Sequence, residues 1–263
     1  QRFPLLQRAD RLLQYLHHEG RALAFIRFPW LMRLFRYSFT RHLHGQMPDL
    51  GKRALLQPDY PMGCKRILIS NDYFPALAQA NVDIVDSAIR EVREQSLVTA
   101  DGREHPCDVL IYGTGFTATD FLAPMRIRGL DGLELNQAWK EGAEAYKGIS
   151  VSGFPNLFLL YGPNTNLGHN SILYMLESQY AYVLGCLRAL SEQGLRYLDL
   201  RPTVQRHYNA ELQRATHRTI WEQGCDSWYK TATGKHTNNW PGFTFTYRLM
   251  TRTPELADYD CVR

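Results

Sequence analysis

Two adjacent cations, Lys65 and Arg66, lie at the start of an apolar run in the sequence GCKRI of residues 63–67. A guanidinium in a dry cleft can stabilise a developing oxyanion, and an ammonium beside it can hold a phosphate. On residue type alone, two solvated surface charges are the safer interpretation. The pair therefore gains meaning only together with other motifs.

Residues 162–171, with the sequence GPNTNLGHNS, lie between an apolar run and a long helical pattern. Many α/β proteins bind ligands at such junctions, where the following helix directs free N–H groups at the ligand. The pyrimidine end of a reduced flavin, which is anionic, would suit that position. Alternatively, the Asn side chains satisfy the loop's own backbone. His169 and Ser171 do not predict a hydrolytic triad because the chain has no G-x-S-x-G elbow.

Residues 113–118, with the sequence GTGFTA, match the G-x-G-x-x-A pattern of dinucleotide-binding loops and follow an apolar run. The next residues, TDFLAP, reach a proline before an amphipathic helix can form. Without that helix no N-terminal dipole is present to hold phosphates. We therefore predict that this segment is not a pyrophosphate loop.

Composition indicates a globular protein, with 263 residues, 44% hydrophobic and 21% charged. The apolar stretches are too short to span a bilayer, and the start QRFP, without Met, suggests an excised fragment or a domain boundary. Cysteines are scattered and form no C-x-x-C pair, which predicts reduced thiols in the cytoplasm and neither a disulfide framework nor a zinc site. The histidine pairs lack metal-ligand spacing, so no metal site is expected. The five cysteines are Cys64, Cys107, Cys186, Cys225 and Cys261.

Apolar spacing predicts two or three helices between residues 5 and 43, interrupted at Pro29. Residues 1–57 carry ten Lys or Arg against three acids. This basic segment is either a solvated helical face or a surface for nucleic acid, an anionic membrane or a phosphorylated cofactor.

Strands and helices alternate in the prediction for the rest of the chain, which indicates an α/β fold. Strands are predicted at residues 66–70, 82–85, 88–92, 96–99 and 108–112, with a hairpin turn at Asp101-Gly102, and a fully buried strand at 156–161. Helices are predicted at about 171–193, ending at Gly194, and at about 203–223. The first of these places Leu173, Leu176, Tyr180, Leu184 and Leu187 on one side of the helix. The tail from Cys225 reads as aromatic and turn-rich, ending in a polar strip.

Four motifs occur in an order and at spacings that resemble a known family. They are YPMGCKR at residues 60–66, DYF at 72–74, DVLIYGTGF at 108–116 and FPNLFLLYGPNTNLGH at 154–169. Together they look like the second half of class B flavoprotein monooxygenases, of the Baeyer–Villiger and 4-hydroxyacetophenone monooxygenase-like group. The resemblance covers nearly the entire chain.

The resemblance implies a partial α/β flavoprotein with two dinucleotide-binding domains, each assembled from two separated segments. Residues 1–57 then correspond to a helical insertion, and residues 58–118 to the second part of the NADPH-binding domain. Residues 119–263 correspond to the second part of the FAD-binding domain and a C-terminal tail. The implied reaction is oxygenation of a ketone to an ester or lactone through a C4a-peroxyflavin, with FAD, NADPH and O2.

The resemblance also implies roles for individual residues. Arg66 matches the active-site arginine, Lys65 the lysine that contacts the NADP 2′-phosphate, and Trp228 a tryptophan near the nicotinamide ribose. Thr114 and Gly115 match an A-T-G motif between the domains, with Gly113 in place of the usual Ala. The loop beside the flavin ring is matched by Gly162, Pro163, Asn164, Thr165, Asn166 and Leu167.

The glycine loops for FAD and NADPH, and an active-site aspartate, lie upstream of this segment in the family. We therefore expect the chain alone to be inactive and to need the missing N-terminal half of the same protein. Its other partners would be a small-molecule substrate and O2, with no nucleic acid and no membrane insertion. Two alternatives stay open: an N- or S-oxygenating relative, and a truncated inactive fragment or binding module.

Overall fold

The computed structural model describes residues 3–222, 224 and 227–263. The chain forms two compact units. The first comprises Gln1–Arg33, Tyr60–Ile67 and Thr117–Arg263, and the second comprises Leu34–Asp59 and Leu68–Phe116. These units divide the chain at other points than the predicted domain boundaries. Membership of a nucleotide-binding domain is a different property from compactness, so the domain assignment stays a prediction.

The helices predicted near the start of the chain are confirmed. Helix α1 spans Pro4–Ala22, with its proline in the first turn, where no N–H is needed. A π-helical turn, Leu23–Arg27, and a 3-10 turn, Pro29–Leu31, follow, and α2 spans Met32–Gln46. The interruption falls at Pro29 as predicted, because this residue lacks an N–H and the extended Phe28 (φ −130°) precedes it.

The remainder of the first unit packs around apolar clusters. Its elements are α5 (Leu135–Ala138), α6 (Ile172–Glu192), β4 (Tyr197–Leu200), α7 (Pro202–Thr216), α8 (Thr244–Met250) and β5 (Tyr259–Val262). Strands β4 and β5 pair antiparallel, with Leu198 opposite Cys261. One cluster includes Trp139, Val151 and Phe154, and another joins α6 to the β4–β5 pair through Tyr182, Leu198 and Tyr259.

Helix α6 matches the predicted range and ends as expected. Gly194 adopts a left-handed conformation (φ 60°), and the Leu195 N–H donates to the Leu190 carbonyl at 2.9 Å. This is the hydrogen-bond pattern of a Schellman C-cap, for which glycine is favoured because it has no Cβ.

The side of α6 that carries the predicted apolar residues is not its buried side. Leu173, Tyr180 and Leu184 are 69%, 51% and 53% exposed, and Leu187 is exposed beside them. The buried side instead carries Met175, Ser178, Gln179, Tyr182, Cys186 and Ala189. Apolar residue type does not decide the face here, because the polar Gln179 and Ser178 find buried hydrogen-bond partners.

Three further predictions in this unit need correction. Residues 156–161 form no buried strand: only an isolated bridge joins Phe158 to Ser150, and Leu160 and Tyr161 are 42% and 43% exposed. Helix α7 ends at Thr216, before a 3-10 turn at Ile220–Glu222, and the last residue of the predicted range lies outside the described residues. The tail is aromatic as predicted, but it also supplies α8 and the paired strand β5.

The second unit contains α3 (Leu50–Leu55), α4 (Tyr73–Leu77) and a three-stranded antiparallel sheet. The strands are β1 (Ile89–Val92), β2 (Ser96–Thr99) and β3 (Glu104–Pro106). The strand predictions at 88–92 and 96–99 are confirmed, as is the turn at Asp101-Gly102, where Gly102 has φ 84°. This turn leads into β3, so the second strand of the hairpin is Glu104–Pro106 and not the run at 108–112.

The runs at 66–70, 82–85 and 108–112 are not strands. Leu68, Ile69 and Ile111 are 81%, 85% and 87% exposed. A strand is defined by backbone pairing with a neighbour, and none of the described strands pairs with these apolar runs. Their composition predicts strands because β-branched residues suit a pleated, half-buried surface, which the described residues do not provide here.

One cysteine departs from the prediction of reduced thiols. Cys64 is disulfide-bonded, whereas Cys107, Cys186 and Cys261 are free. Cysteines that are far apart in sequence can meet in the fold, so scattered spacing does not exclude a disulfide. Across the described residues, no helix combines the length and the apolar character that crossing a bilayer requires.

Candidate functional site

A cleft of about 220 Å³ lies in the first unit. Its lining residues are Ala118, Phe121, Tyr161, Gly162, Asn166, Trp228 and Asn238. Three of the predicted site residues therefore meet here, namely Gly162, Asn166 and Trp228. The wall consists of three aromatic rings and two side-chain amides, which suits a flat heteroaromatic ligand with a polar edge.

The loop that carries Gly162 and Asn166 is fixed by backbone pairing to residues 237–240. The Asn164 N–H donates to the Thr237 carbonyl at 2.8 Å, and the Asn166 N–H donates to the Asn238 carbonyl at 3.0 Å. The Trp240 N–H donates in turn to the Asn166 carbonyl at 2.8 Å. This pairing explains how two segments that are far apart in sequence form one side of the cleft.

The other loop residues turn inward. Asn164 has φ 58° and donates through Nδ2 to the His236 carbonyl at 2.9 Å, and the Thr165 hydroxyl donates to the Gly162 carbonyl at 2.7 Å. Pro163 and Leu167 are buried as well. The side chains of these four residues are used inside the protein. Contacts between these residues and a cofactor stay a prediction. Because the four side chains are buried within the protein, such contacts would have to use the backbone of the loop.

Two glycines let the backbone approach closely behind the cleft. A Cβ at Gly162 would lie 2.3 Å from the Gly148 carbonyl oxygen, and a Cβ at Gly148 would lie 2.1 Å from Thr165 Cγ2. Gly148 also has φ 66°, which favours glycine. A side chain at either position would push the loop away from its partner.

Arg66 is exposed and lies near two phenols of the cleft region. Burial raises the pKa of Tyr161 and of Tyr229, and the Arg66 cation opposes both shifts because it favours the phenolate. Tyr161 lines the cleft, whereas Tyr229 is buried behind Trp228, with the two ring centroids 5.0 Å apart. The charge of the predicted catalytic arginine therefore acts on Tyr161, a residue of the cleft lining.

The segment that carries Arg66 is held by close packing. Gly63 has φ 89°, and a Cβ there would lie 2.2 Å from Met32 Cε. The next residue, Cys64, is buried and disulfide-bonded. Lys65 is exposed, and its Nζ lies 4.3 Å from the centroid of the Tyr60 ring, a cation–π contact. The two neighbouring cations therefore have different surroundings.

Thr114 and Gly115 belong to the second unit and are exposed. Gly115 has φ 81°, and a Cβ at this position would meet nothing within 4 Å. Turns, and no helix, follow residues 113–118, which confirms that the local G-x-G-x-x-A match is not a strand–loop–helix phosphate site.

Two buried histidines flank the loop without taking part in the cleft. Burial lowers the pKa of His169 to about 4 and that of His236 to about 3, so both are neutral at pH 7. The His169 ring packs against Phe25 at 6.0 Å, and the His236 ring lies between Trp221 and Tyr229 at 5.9 and 6.0 Å. The described residues contain no cluster of three or more His, Cys, Asp or Glu suited to a metal ion.

Sequence reasoning missed four lining residues: Ala118, Phe121, Tyr161 and Asn238. Tyr161 falls at the end of the run that was interpreted as a buried strand, which hid its role. The signal that could have indicated Asn238 is the amide-rich sequence HTNNW at residues 236–240, which is polar like the sequence NTN at residues 164–166.

Proteins similar to this chain are flavoprotein monooxygenases. A Baeyer-Villiger monooxygenase of Pseudomonas aeruginosa is 45% identical over 260 residues, covering 98% of this chain and 49% of the relative. A Baeyer-Villiger monooxygenase of Streptomyces coelicolor is 43% identical over 242 residues, covering 91% and 47%. The chain thus spans about half the length of the curated relatives it matches. No protein-family model matches the chain.

Solved structures with a similar fold belong to the same group. An oxidised steroid monooxygenase bound to NADP superposes with a TM-score of 0.80 at 24% identity, covering 92% of this chain and 47% of that one. A closed cyclohexanone monooxygenase gives 0.73 at 27% identity, covering 83% and 43%. The fold is therefore that of a partial α/β flavoprotein. By sequence, the chain corresponds to about half of a Baeyer–Villiger monooxygenase, which confirms the resemblance seen in its motifs.

Proposed function

We propose that this chain is the C-terminal half of an FAD- and NADPH-dependent monooxygenase that oxygenates a ketone to an ester or lactone. The reaction would consume ketone, O2, NADPH and H⁺ and yield the ester, NADP⁺ and water. The observation that carries the proposal is 45% identity to a Baeyer-Villiger monooxygenase over 98% of this chain. A cytoplasmic location stays a prediction.

The cleft supports binding of a flat cofactor ring. The rings of Phe121, Tyr161 and Trp228 offer apolar surface to such a ring, and the amides of Asn166 and Asn238 can hydrogen-bond its polar edge. Bound flavin would supply the chemistry that transfers electrons from NADPH to O2. The residues present therefore fit the ring of the proposed cofactor, whereas a pyrophosphate site would have to come from the missing half.

The cations support the remaining roles. Arg66 carries a permanent charge with a planar fork of donors, which suits stabilisation of negative charge on a reacting oxygen near the cleft. Lys65 would bind the 2′-phosphate of NADPH as a compact point charge. Thr114 and Gly115 would form the backbone connection between the domains. These roles rest on the match of this sequence to the family's motifs.

The first test is made on the protein that combines this chain with the reading frame upstream of it. We expect that frame to encode the glycine loops for both cofactors and the purified protein to carry FAD. Supplied with NADPH, ¹⁸O2 and an equal mixture of a cyclic ketone and an aryl sulfide, it should give a lactone with one ¹⁸O atom. A reaction without NADPH is the control.

Other outcomes separate the alternatives. Sulfoxide without lactone would replace ketone oxygenation by the heteroatom-oxygenating alternative. An upstream frame without either glycine loop, together with purified protein that carries no flavin, would contradict the proposal and favour a binding module.

A further inference from the structure

Tyr161 has a backbone conformation that is unusual for a bulky residue. Its φ is 57°, in the left-handed region, although its side chain is a full aromatic ring at the edge of the cleft. Such a conformation costs free energy and persists only where surrounding contacts fix it, which happens most often at functional sites. The contacts that fix Tyr161 are therefore informative.

A buried hydrogen-bond chain holds the Tyr161 backbone. Its N–H donates to Oε1 of the fully buried Gln179 on α6, at 2.9 Å. Gln179 Nε2 donates to the Tyr247 hydroxyl on α8 at 3.0 Å, and that hydroxyl donates to the Lys147 carbonyl at 2.6 Å. Each donor meets an acceptor, so the amide of Gln179 has one satisfied orientation. Two helices thus fix the backbone of one cleft residue.

The Tyr161 side chain connects this fixed backbone to the cleft residue Asn166. Its hydroxyl donates to Asn166 Oδ1 at 2.7 Å, and Asn166 Nδ2 donates to Asn239 Oδ1 at 2.6 Å. An amide nitrogen carries two hydrogens, and the contact with Asn239 uses one of them. Since Asn166 lines the cleft, its second hydrogen is available to an acceptor there.

We propose that Tyr161 is a positioning residue that orients the Asn166 amide so that its second hydrogen donates to a carbonyl oxygen on the edge of a ring bound in the cleft. This inference rests on the proposed function, in which the ring is that of FAD. Rotation of Asn166 would exchange its donor and acceptor and would bring its Oδ1 against Asn239 Oδ1. The hydrogen bond that the Tyr161 hydroxyl donates to Oδ1 further favours the observed orientation.

The test compares wild type with Tyr161→Phe in the full-length protein, because this change removes only the hydroxyl. Tyr174→Phe is the matched control, since Tyr174 lies on α6 and stacks on Tyr15, 5.0 Å away, outside the cleft lining. Two properties are measured: the dissociation constant for FAD from flavin fluorescence, and the reduction potential of bound FAD. Thermal unfolding of each variant verifies that it folds.

We expect Tyr161→Phe to weaken FAD binding about 2- to 10-fold, the effect of one hydrogen bond, and to make the potential more negative. Tyr174→Phe should leave both at the wild-type value. If Tyr161 had only a structural role, the reduction potential of bound FAD would not change, because a less stable fold does not by itself favour the oxidised flavin over the reduced one.

A double-variant comparison tests whether Tyr161 acts through Asn166. In an Asn166→Ala background, Tyr161→Phe should have no further effect on binding or potential. Full additivity would overturn the proposal, as would wild-type binding and potential in Tyr161→Phe. Wild-type protein that binds no FAD would contradict the proposed function and this inference with it, whereas FAD-containing protein with an unaffected Tyr161→Phe variant contradicts this inference alone.

Discussion

At the scale of single residues, the cleft combines side chains that the sequence motifs name with others that they do not. Gly162, Asn166 and Trp228 were predictable because they belong to motifs shared with a family. Tyr161 was not, because residue type gives no sign that a tyrosine will adopt a left-handed backbone. Asn238 joins the cleft only through pairing of residues 237–240 with the loop, and such long-range pairing has no local signal.

Arg66 provides the sharpest test of chemistry at one residue. If Arg66 has the proposed role, Arg66→Ala in the full-length protein should lower ketone oxygenation by about 100-fold or more, because a fixed donor to developing negative charge would be lost. Reduction of the flavin by NADPH should remain measurable in anaerobic stopped-flow. Arg11→Ala, an exposed arginine on α1, is the control and should leave both rates unchanged. Equal loss of both steps in Arg66→Ala would show that the residue has a structural role.

His236 should make the protein acid-sensitive. Its pKa falls from 6.5 to about 3 on burial, so the unfolded chain binds a proton more readily than the folded one. The free energy of unfolding therefore does not depend on His236 above about pH 6.5. As the pH falls from 6.5 towards 3, it decreases by roughly 1 kcal/mol per pH unit, because protonation favours the unfolded chain. His236→Phe should reduce this slope in urea unfolding at pH 6.5, 5.5 and 4.5. His207→Gln, an exposed position, should not change it.

At the scale of elements, Glu19 connects the first helix to the last. This buried carboxylate on α1 accepts hydrogen bonds from the Thr244 N–H at 2.7 Å and the Thr244 hydroxyl at 2.8 Å, at the start of α8. It also accepts from Asn170 Nδ2 at 2.5 Å, next to the loop of the cleft. The predicted helical insertion is thus bonded to the segment predicted to belong to the FAD-binding domain.

Glu19→Gln should destabilise the protein by about 1–3 kcal/mol, because an amide cannot accept all of these hydrogen bonds and loses the charge that favours a helix N-terminus. The free energy of unfolding in urea measures the effect. Glu177→Gln is the matched control: its exposed ion pair with Arg11 should contribute less than about 1 kcal/mol. Equal losses of unfolding free energy in the two variants would mean that the buried hydrogen bonds of Glu19 contribute no more than the exposed ion pair.

Helix positions were more predictable than faces or strands. The spacing of apolar residues and the glycine at 194 give the range of α6, because both signals are local. Which face of α6 is buried depends on partners such as Tyr247, the acceptor for Gln179, which lies 68 residues further along the chain. The runs at 66–70 and 108–112 have strand composition, yet strand pairing is a property of two segments, and one segment's sequence does not reveal it.

At the scale of the whole molecule, two observations indicate the same thing: the chain matches only about half the length of its relatives, and it exposes many large apolar side chains. The chain matches 49% of its Pseudomonas relative. It exposes Leu173, Tyr180 and Leu184 along α6, and Leu68, Ile69 and Ile111 elsewhere. Exposed apolar side chains along one helix, as on α6, usually mark a surface that another segment covers.

This chain expressed alone should therefore bind a hydrophobic dye such as ANS strongly. Co-expression with the N-terminal half that the proposed function requires should lower the fluorescence several-fold per molecule of this chain. Leu184→Gln combined with Leu187→Gln should reduce the signal of the isolated chain, because both side chains are exposed on α6. Weak dye binding by the isolated chain would argue against a missing covering segment.

The two compact units interleave along the chain, since each is assembled from separated segments. Recombination between relatives has to respect this order. A chimaera with a single crossover near residue 57 would combine α1 of one parent with α8 of the other, and so would pair the Glu19 carboxylate with hydrogen-bond donors from a different parent. Exchange of the second unit intact requires paired crossovers, near residues 33 and 59 and near residues 67 and 116. Libraries of hybrid enzymes built with those junctions should contain a larger fraction of folded members than libraries cut once.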